Sequence, residues 1–141
     1  MAVRIEIKGV NELQKRLERI KDINPELIRA MDQATGVVSG RAKARAPVDT
    51  SALRNSIHSK PADAIGKKVV GIVSTICPHA GYVEFGTGRR GGYPYETKLS
   101  LKYDQTRAGQ VAQPYLYPAL LESKPDIHKL VSEDVIKAAR R

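Results

Sequence analysis

The chain has 141 residues, of which 41% are apolar and 5% aromatic, so we expect one domain over residues 1–141 with a largely aliphatic core. This apolar content excludes a disordered chain. A formal net charge of +9 favours acidic partners such as nucleic acid, although excess basic residues also serve solubility alone. The single cysteine, Cys77, excludes an intramolecular disulfide and fits a reducing cytoplasm. No apolar run is long enough for a signal core or a membrane span, so neither secretion nor a membrane is expected.

The first third of the chain predicts one strand and two helices. Residues 3–7 alternate apolar and polar side chains, which is typical of a half-buried strand. Residues 11–20 carry leucine and isoleucine at helical spacing after a capping asparagine. A second helix begins at Asn24-Pro25 and ends before Pro47. Its predicted buried stripe consists of Leu27, Met31, Ala34, Val38 and Ala42.

The middle of the chain predicts a β-hairpin. Residues 47–55 indicate a turn that leads into one turn of helix, capped by Asp49 or Thr50. Residues 57–64 and 69–76 are then typical of two strands, the second rich in β-branched side chains, joined by a turn at Gly66 and Lys67. Residues 80–85 are short enough to be either a helical turn or the start of a strand.

Residues 86–112 predict a long flexible loop, because their glycines and prolines disfavour a regular element. One or two closing helices follow, and Pro125 is able to restart the second of them. The residues predicted to face inward there are Ile127, Leu130, Val131, Val135 and Ala138. The pattern as a whole predicts an α+β fold in which a small antiparallel sheet of about three or four strands packs against about three helices.

No catalytic constellation stands out in the sequence. Cys77 and His79 are close along the chain, but a nucleophilic pair must meet in space and needs an orienting group. Glu84 has no evident partner for acid–base chemistry. The glycine-rich run at 86–92 is followed by Tyr-Pro-Tyr instead of a helix, which argues against a phosphate-binding loop. The sequence therefore predicts neither an enzyme nor a cofactor or metal site.

Two basic clusters make a nucleic-acid-binding domain the alternative hypothesis. The first lies near the end of the second helix and comprises Arg41, Lys43 and Arg45, for which an interaction with the negative pole of the helix dipole is the favoured interpretation. The second lies in the long loop and mixes basic with aromatic side chains, a combination able to neutralise phosphates and stack on bases. Its members are Arg89, Arg90, Tyr93, Tyr95, Lys98, Lys102, Tyr103 and Arg107.

Three blocks of the sequence resemble a known family. They are Arg-Ala-Lys-Ala-Arg-Ala-Pro-Val-Asp-Thr-Ser-Ala-Leu-Arg-Asn-Ser-Ile at 41–57, His-Ala-Gly-Tyr-Val-Glu-Phe-Gly-Thr-Gly at 79–88 and Gln-Pro-Tyr-Leu-Tyr-Pro-Ala-Leu at 113–120. In this order they resemble the gene-product-ten-like tail components of long-tailed bacteriophages, which are related to minor tail protein Z. Three positions depart from the family pattern: Ser51 replaces a glycine, Gly81 precedes the tyrosine, and Tyr115 replaces a phenylalanine.

The resemblance implies a structural part of a phage neck or tail that completes the tail or joins it to the head. It implies ring-like self-association, contacts with neighbouring neck or tail proteins, packaged DNA as a further candidate contact, and no membrane. The protein would occupy the bacterial cytoplasm during assembly and the virion neck or tail afterwards.

The resemblance also separates two sets of residues. The candidate interaction loop comprises Arg89, Arg90, Tyr93, Tyr95, Lys98, Lys102 and Arg107. The family-motif residues, expected mainly to maintain the fold, are Pro47, Thr50, Leu53, Tyr82, Glu84, Phe85, Gly86, Gln113, Pro114 and Pro118. Among them, Tyr82 and Phe85 are expected to hold adjoining turns against the core.

Overall fold

A computed structural model describes residues 1–6, 24–47, 51–66, 68–97, 99 and 101–140. Its helices and strands, in chain order, are β1 (Ala2–Glu6), α1 (Asn24–Arg45), α2 (Ser51–Ser56), β2 (Ile57–Ile65), β3 (Lys68–Thr75), α3 (Ala80–Phe85), a 3-10 turn (Gly88–Arg90) and α4 (Leu116–Ala139). The predicted α+β class is confirmed, and the described residues form a three-stranded antiparallel sheet and four α-helices. The helix predicted at 11–20 lies outside the described residues.

The sheet has the order β1-β3-β2, and both pairings are antiparallel. The predicted hairpin is confirmed: Ile57 pairs with Thr75 at one end and Ile65 with Lys68 at the other. The register shifts between Lys60 and Asp63, where Pro61 lacks the N–H that a continuous ladder needs. At this irregularity the Ala62 N–H donates instead to an Asp32 carboxylate oxygen at 2.6 Å, which ties the edge strand to α1.

Helix α1 lies between the sheet and α4. It packs on β2 and β3 on one side and against α4 on the other. All five residues of its predicted apolar stripe are at most 2% exposed, so that prediction is confirmed. The helix also ends where expected, since Ala46 closes the last turn by donating to Ala42 at 2.9 Å and Pro47 follows.

The C-terminal segment forms a single helix, α4, with Pro125 inside it. Proline there removes one backbone hydrogen bond, so the helix depends on its tertiary packing more than a continuous one would. That packing follows the predicted pattern, with Ile127, Val135 and Ala138 buried and Leu130 and Val131 half-buried against the core. The start of α4 is positioned by a residue from another part of the chain.

Candidate interaction loop and its base

The buried carboxylate of Glu84 caps the N-terminus of α4 from the neighbouring helix α3. Its side chain is 1% exposed. One oxygen accepts the backbone N–H groups of Tyr115 at 2.8 Å and Leu116 at 3.0 Å. The other accepts the Tyr117 N–H at 3.1 Å and the Tyr93 phenol at 3.0 Å. Four donors therefore satisfy both oxygens, which is the condition under which a carboxylate is tolerated in a protein interior.

The next residue of α4 completes this cap. An α-helix begins with about four N–H groups that have no partner inside the helix. Glu84 accepts the first three, and the fourth position is Pro118, which has no N–H. The negative carboxylate also lies at the positive end of the helix dipole. The hydrogen bonds and the dipole therefore both stabilise the carboxylate at this position.

An aromatic cluster covers the Glu84 cap and fixes the start of the loop. Tyr93 contacts Phe85 with ring centroids 4.8 Å apart, Tyr95 at 5.5 Å and Tyr117 at 6.3 Å. Tyr95 and Tyr117 lie 5.2 Å apart, edge to face. Burial raises the pKa of Tyr93 above its ordinary value of 10.0, and the Glu84 charge and the hydrogen bond to it act in the same direction. Burial likewise raises the pKa of Tyr115, whose hydroxyl has no hydrogen-bond partner among the described residues.

The two ends of the loop are joined by backbone hydrogen bonds. Thr87 and Gln110 exchange N–H···O bonds of 2.8 and 2.9 Å. Gly88, at φ 62°, and Gly109, at φ 70°, pack so closely that a Cβ on Gly109 would lie 1.9 Å from the Thr87 carbonyl oxygen. Tyr103 adds a further anchor by donating its hydroxyl to the Phe85 carbonyl at 2.9 Å. The loop thus has a closed base, and Tyr93, Tyr95 and Tyr103 hold further parts of it against the protein.

The structure exposes the basic residues of the candidate loop. Arg89, Arg90, Lys102 and Arg107 are all exposed, while Lys98 lies outside the described residues. Arg107 lies 3.9 Å from Asp104, whose pKa is lowered by hydrogen bonds from the Thr106 hydroxyl and backbone N–H. In contrast, the loop tyrosines Tyr93 and Tyr95 are half-buried in the aromatic cluster. The basic side chains of the loop are therefore exposed to solvent, whereas Tyr93 and Tyr95 between them pack against other aromatic rings.

The basic cluster at the end of α1 has a different role from that of the loop. Arg41 bonds to the Ser123 hydroxyl at 2.9 Å, to the Glu122 carbonyl at 3.0 Å and to the Asp126 carboxylate. Arg45 forms an ion pair with the Glu122 carboxylate. These two cations join α1 to α4, so they serve helix packing.

The remaining family-motif residues divide between the core and one surface pocket. Leu53 is 2% exposed, and the Gln113 N–H donates to the Val83 carbonyl at 2.8 Å. Tyr82 is 62% exposed, so the expectation that it holds a turn against the core is wrong, whereas the half-buried Phe85 contacts the loop residue Tyr93. Thr50 lies outside the described residues. A pocket of about 320 Å³ brings residues of all three sequence blocks together and is lined by Pro47, Leu53, His79, Tyr82, Val83, Gln110 and Gln113.

The geometry of Cys77 and His79 does not suit nucleophilic catalysis. The Cys77 sulfur lies 3.3 Å from both ring nitrogens of His79. A sulfur equidistant from the two nitrogens cannot lie along the in-plane lone pair of either, which proton transfer from the thiol would require. Within the described parts of the chain, no group of three or more His, Cys, Asp or Glu side chains is placed to hold a metal. Nor does any described helix combine the length and apolarity needed to cross a bilayer.

The capping role of Glu84 was missed from sequence, although one signal pointed to it. The start of α4 reads Gln-Pro-Tyr-Leu-Tyr-Pro and offers no serine, threonine, aspartate or asparagine to cap the helix. A helix start without a local cap needs an acceptor from elsewhere. The lone glutamate between Val83 and Phe85 is such an acceptor, but no sequence pattern indicated that the two segments meet.

Comparison with known proteins gives one match. The family model described as "Bacteriophage HK97-gp10, putative tail-component" matches residues 11–86, which is just over half of the chain. The match contains the first sequence block and the core of the second, including Glu84. Neither the curated proteins nor the solved structures give a significant match. The chain therefore belongs to the bacteriophage HK97-gp10 family of tail components.

Proposed function

We propose that this protein is a structural, non-enzymatic component of a phage or prophage neck or tail. It completes the tail or joins it to the head by assembling with itself and with neighbouring neck or tail proteins. Family membership is the observation that carries this proposal. On this proposal the chain occupies the host cytoplasm during assembly and the virion afterwards.

The loop geometry supports an assembly role. Backbone bonds between Thr87 and Gln110 hold the base of the loop, so partner contacts at 92–106 are presented from a fixed support. Leu99 in this part is 59% exposed and Tyr82 beside the base is 62% exposed. A partner that covered these two side chains would remove their apolar surface from water, which favours association.

A dedicated nucleic-acid-binding domain is the weaker candidate function. Of its two predicted basic clusters, the one on α1 has Arg41 and Arg45 committed to contacts with α4. The loop tyrosines expected to stack on bases pack instead against Phe85, Tyr117 and one another. What remains is the set of exposed loop cations, which is compatible with a DNA contact inside an assembled particle.

The proposal is tested by complementing a phage that lacks this gene with a loop-excision variant. Replacing residues 96–102 by about three Gly-Ser residues removes the exposed Leu99 and keeps Tyr93, Tyr95 and Tyr103 with their contacts, together with the Thr87–Gln110 bonds. We expect the deleted phage to give unjoined heads and tails or incomplete tails in electron micrographs. The intact gene should restore infectivity and the excision variant should not.

A matched control places a comparable Gly-Ser insertion at the exposed Gly66, in the hairpin turn that joins β2 to β3 and not in the candidate interaction loop. The control should complement. If the excision variant also complemented, the loop assignment would be wrong; if the deleted phage built complete, joined particles, the neck or tail role itself would be wrong. Light scattering over a concentration series adds the test of self-association: the mean mass should rise with concentration.

A further inference from the structure

Three arginines form a compact cluster at the base of the loop. Arg89 and Arg90 lie on the 3-10 turn, and Arg107 lies on the opposite side of the base. The Arg89 N–H donates to the Arg107 carbonyl and the Arg90 N–H to the Ala108 carbonyl, both at 2.9 Å. These bonds fix the backbone of Arg107 next to those of Arg89 and Arg90, although Arg107 lies at the other end of the loop.

The cluster is exposed and largely uncompensated. Arg89 and Arg90 are exposed and make no ion pair within the described residues, and the Arg107 side chain is 85% exposed. The nearest acid, Asp104, lies 3.9 Å from Arg107 and is itself 54% exposed, so this surface pair is weak. The whole segment 86–112 holds five basic and two acidic side chains. An anion that approaches this base therefore meets a fixed local excess of positive charge.

We propose that Arg89, Arg90 and Arg107 bind the phosphate backbone of duplex DNA without reading its sequence. Guanidinium groups are well suited to phosphate oxygens, which they bind with two parallel hydrogen bonds. The choice of DNA over another polyanion rests on the proposed function, because a neck or tail protein surrounds the path of the phage genome.

The surroundings of the cluster also exclude other modes of nucleic-acid binding. Arg89 and Arg90 lie on a turn of three residues and Arg107 lies in the segment bonded to it, so the cluster lacks a helix long enough to read base edges in the major groove. Tyr93 and Tyr95 are packed in the aromatic cluster and Tyr103 donates its hydroxyl to Phe85, which leaves Tyr82 as the exposed tyrosine near the base. The structure thus favours backbone contacts to a duplex over stacking on a single strand.

The test measures binding of a labelled duplex of about 20 base pairs by fluorescence anisotropy between about 50 and about 200 mM salt. Three phosphate contacts predict a slope of log K against log salt of about −2.7, independent of sequence. The variant Arg89→Gln/Arg90→Gln/Arg107→Gln keeps the backbone bonds and removes the three charges. The magnitude of its slope of log K against log salt should therefore decrease towards zero. The control Arg29→Gln/Lys60→Gln/Lys129→Gln removes the same charge from exposed positions elsewhere and should retain most of the slope.

The outcomes separate this proposal from the assembly proposal. No duplex binding at the lowest salt, tighter binding of a single strand, or an equal loss in both variants would overturn the DNA contact. The loop-excision variant keeps all three arginines, so it should still bind DNA even where it fails to assemble. Complementation by the excision variant would contradict the loop's role in assembly, whereas loss of duplex binding in that variant, which keeps the three arginines, would contradict the DNA contact.

Discussion

Glu84 connects two elements that are distant in sequence, and it does so as a fully bonded buried carboxylate. The donors on α4 lie 31 to 33 residues further along the chain. A carboxylate accepts at both oxygens, and hydrogen bonds to a charged group contribute more than those between neutral groups. The side chain therefore fixes where α4 begins relative to α3, and with it the spacing of the two loop ends.

Replacing the carboxylate by an amide tests this role. In Glu84→Gln the amide nitrogen would face N–H donors that it cannot satisfy, so we expect the free energy of unfolding to fall by about 2–4 kcal/mol. Urea denaturation monitored by circular dichroism measures the change. Glu133→Gln makes the same chemical change at an exposed position of α4 and should be nearly neutral. Equal stability of the two variants would mean that the cap contributes little.

Replacement of tyrosine by phenylalanine should affect the free energy of unfolding differently at the two tyrosines next to this cap, Tyr93 and Tyr115. The Tyr93 hydroxyl donates to Glu84 at 3.0 Å, whereas the Tyr115 hydroxyl is buried without a partner among the described residues. Tyr93→Phe should lower the free energy of unfolding by about 1–2 kcal/mol. Tyr115→Phe removes an unsatisfied buried hydroxyl and should be neutral or stabilising. Urea midpoints for both variants decide the matter, and a loss at Tyr115 equal to that at Tyr93 would contradict this account.

At the scale of elements, α1 approaches the sheet most closely at Gly71 of β3. A Cβ at this position would lie 2.4 Å from the Thr35 methyl carbon and 2.8 Å from Met31 Cγ. Since protein interiors are tightly packed, there is no space for the additional methyl unless the helix moves. Glycine is thus required here by the contact between two elements.

The double variant Gly71→Ala/Thr35→Ser tests that contact. Gly71→Ala alone should destabilise the fold by about 1–3 kcal/mol because it overpacks the interface. Thr35→Ser removes the methyl group but keeps the hydroxyl, which donates to the Asp32 carbonyl at 2.9 Å. It should therefore restore part of the loss in the double variant. If the two substitutions changed the thermal unfolding temperature additively, the Cβ at position 71 and the Thr35 methyl group would not be in contact.

Elements with a clear period were predictable, and contacts between distant segments were not. The apolar stripe of α1 repeats at helical spacing, and the hairpin strands are bounded by a turn at Gly66, so local patterns specified both. The Glu84 cap and the paired loop ends, in contrast, are not specified by local sequence patterns. They depend on which segments the fold brings together, and neither Val-Glu-Phe nor Gly-Thr-Gly carries that information by itself.

At the scale of the whole molecule, the basic side chains that give the net charge of +9 differ in how far they are paired with acidic residues. Arg41 and Arg45 are engaged with acidic residues of α4, while Arg89 and Arg90 remain exposed at the loop base. Composition indicated an excess of positive charge but could not locate the surface that exposes it. That location follows only from the fold, because ion pairing across α1 and α4 removes one of the two basic clusters from consideration.

The raised pKa values of the half-buried Tyr93 and the buried Tyr115 predict that the free energy of unfolding decreases at alkaline pH. The pKa values of Tyr93 and Tyr115 are raised in the folded state, whereas in the unfolded chain both ionise near the ordinary value of 10.0. Their contribution is therefore complete below pH 10 and is lost as pH rises above that value, because the unfolded state then releases protons that the folded state keeps. Each tyrosine lowers the free energy of unfolding by at most about 1.4 kcal/mol per pH unit in this range.

Urea midpoints measured at intervals from neutral to alkaline pH check this dependence. The double variant Tyr93→Phe/Tyr115→Phe cannot ionise at either position, so its midpoint should fall less steeply above pH 10 than that of the parent protein. Tyr82→Phe, at a side chain that is 62% exposed, provides the matched control and should follow the parent curve. If the double variant also followed the parent curve, ionisation of other groups would account for the alkaline loss of stability, and the tyrosines around the α4 cap would not be its cause.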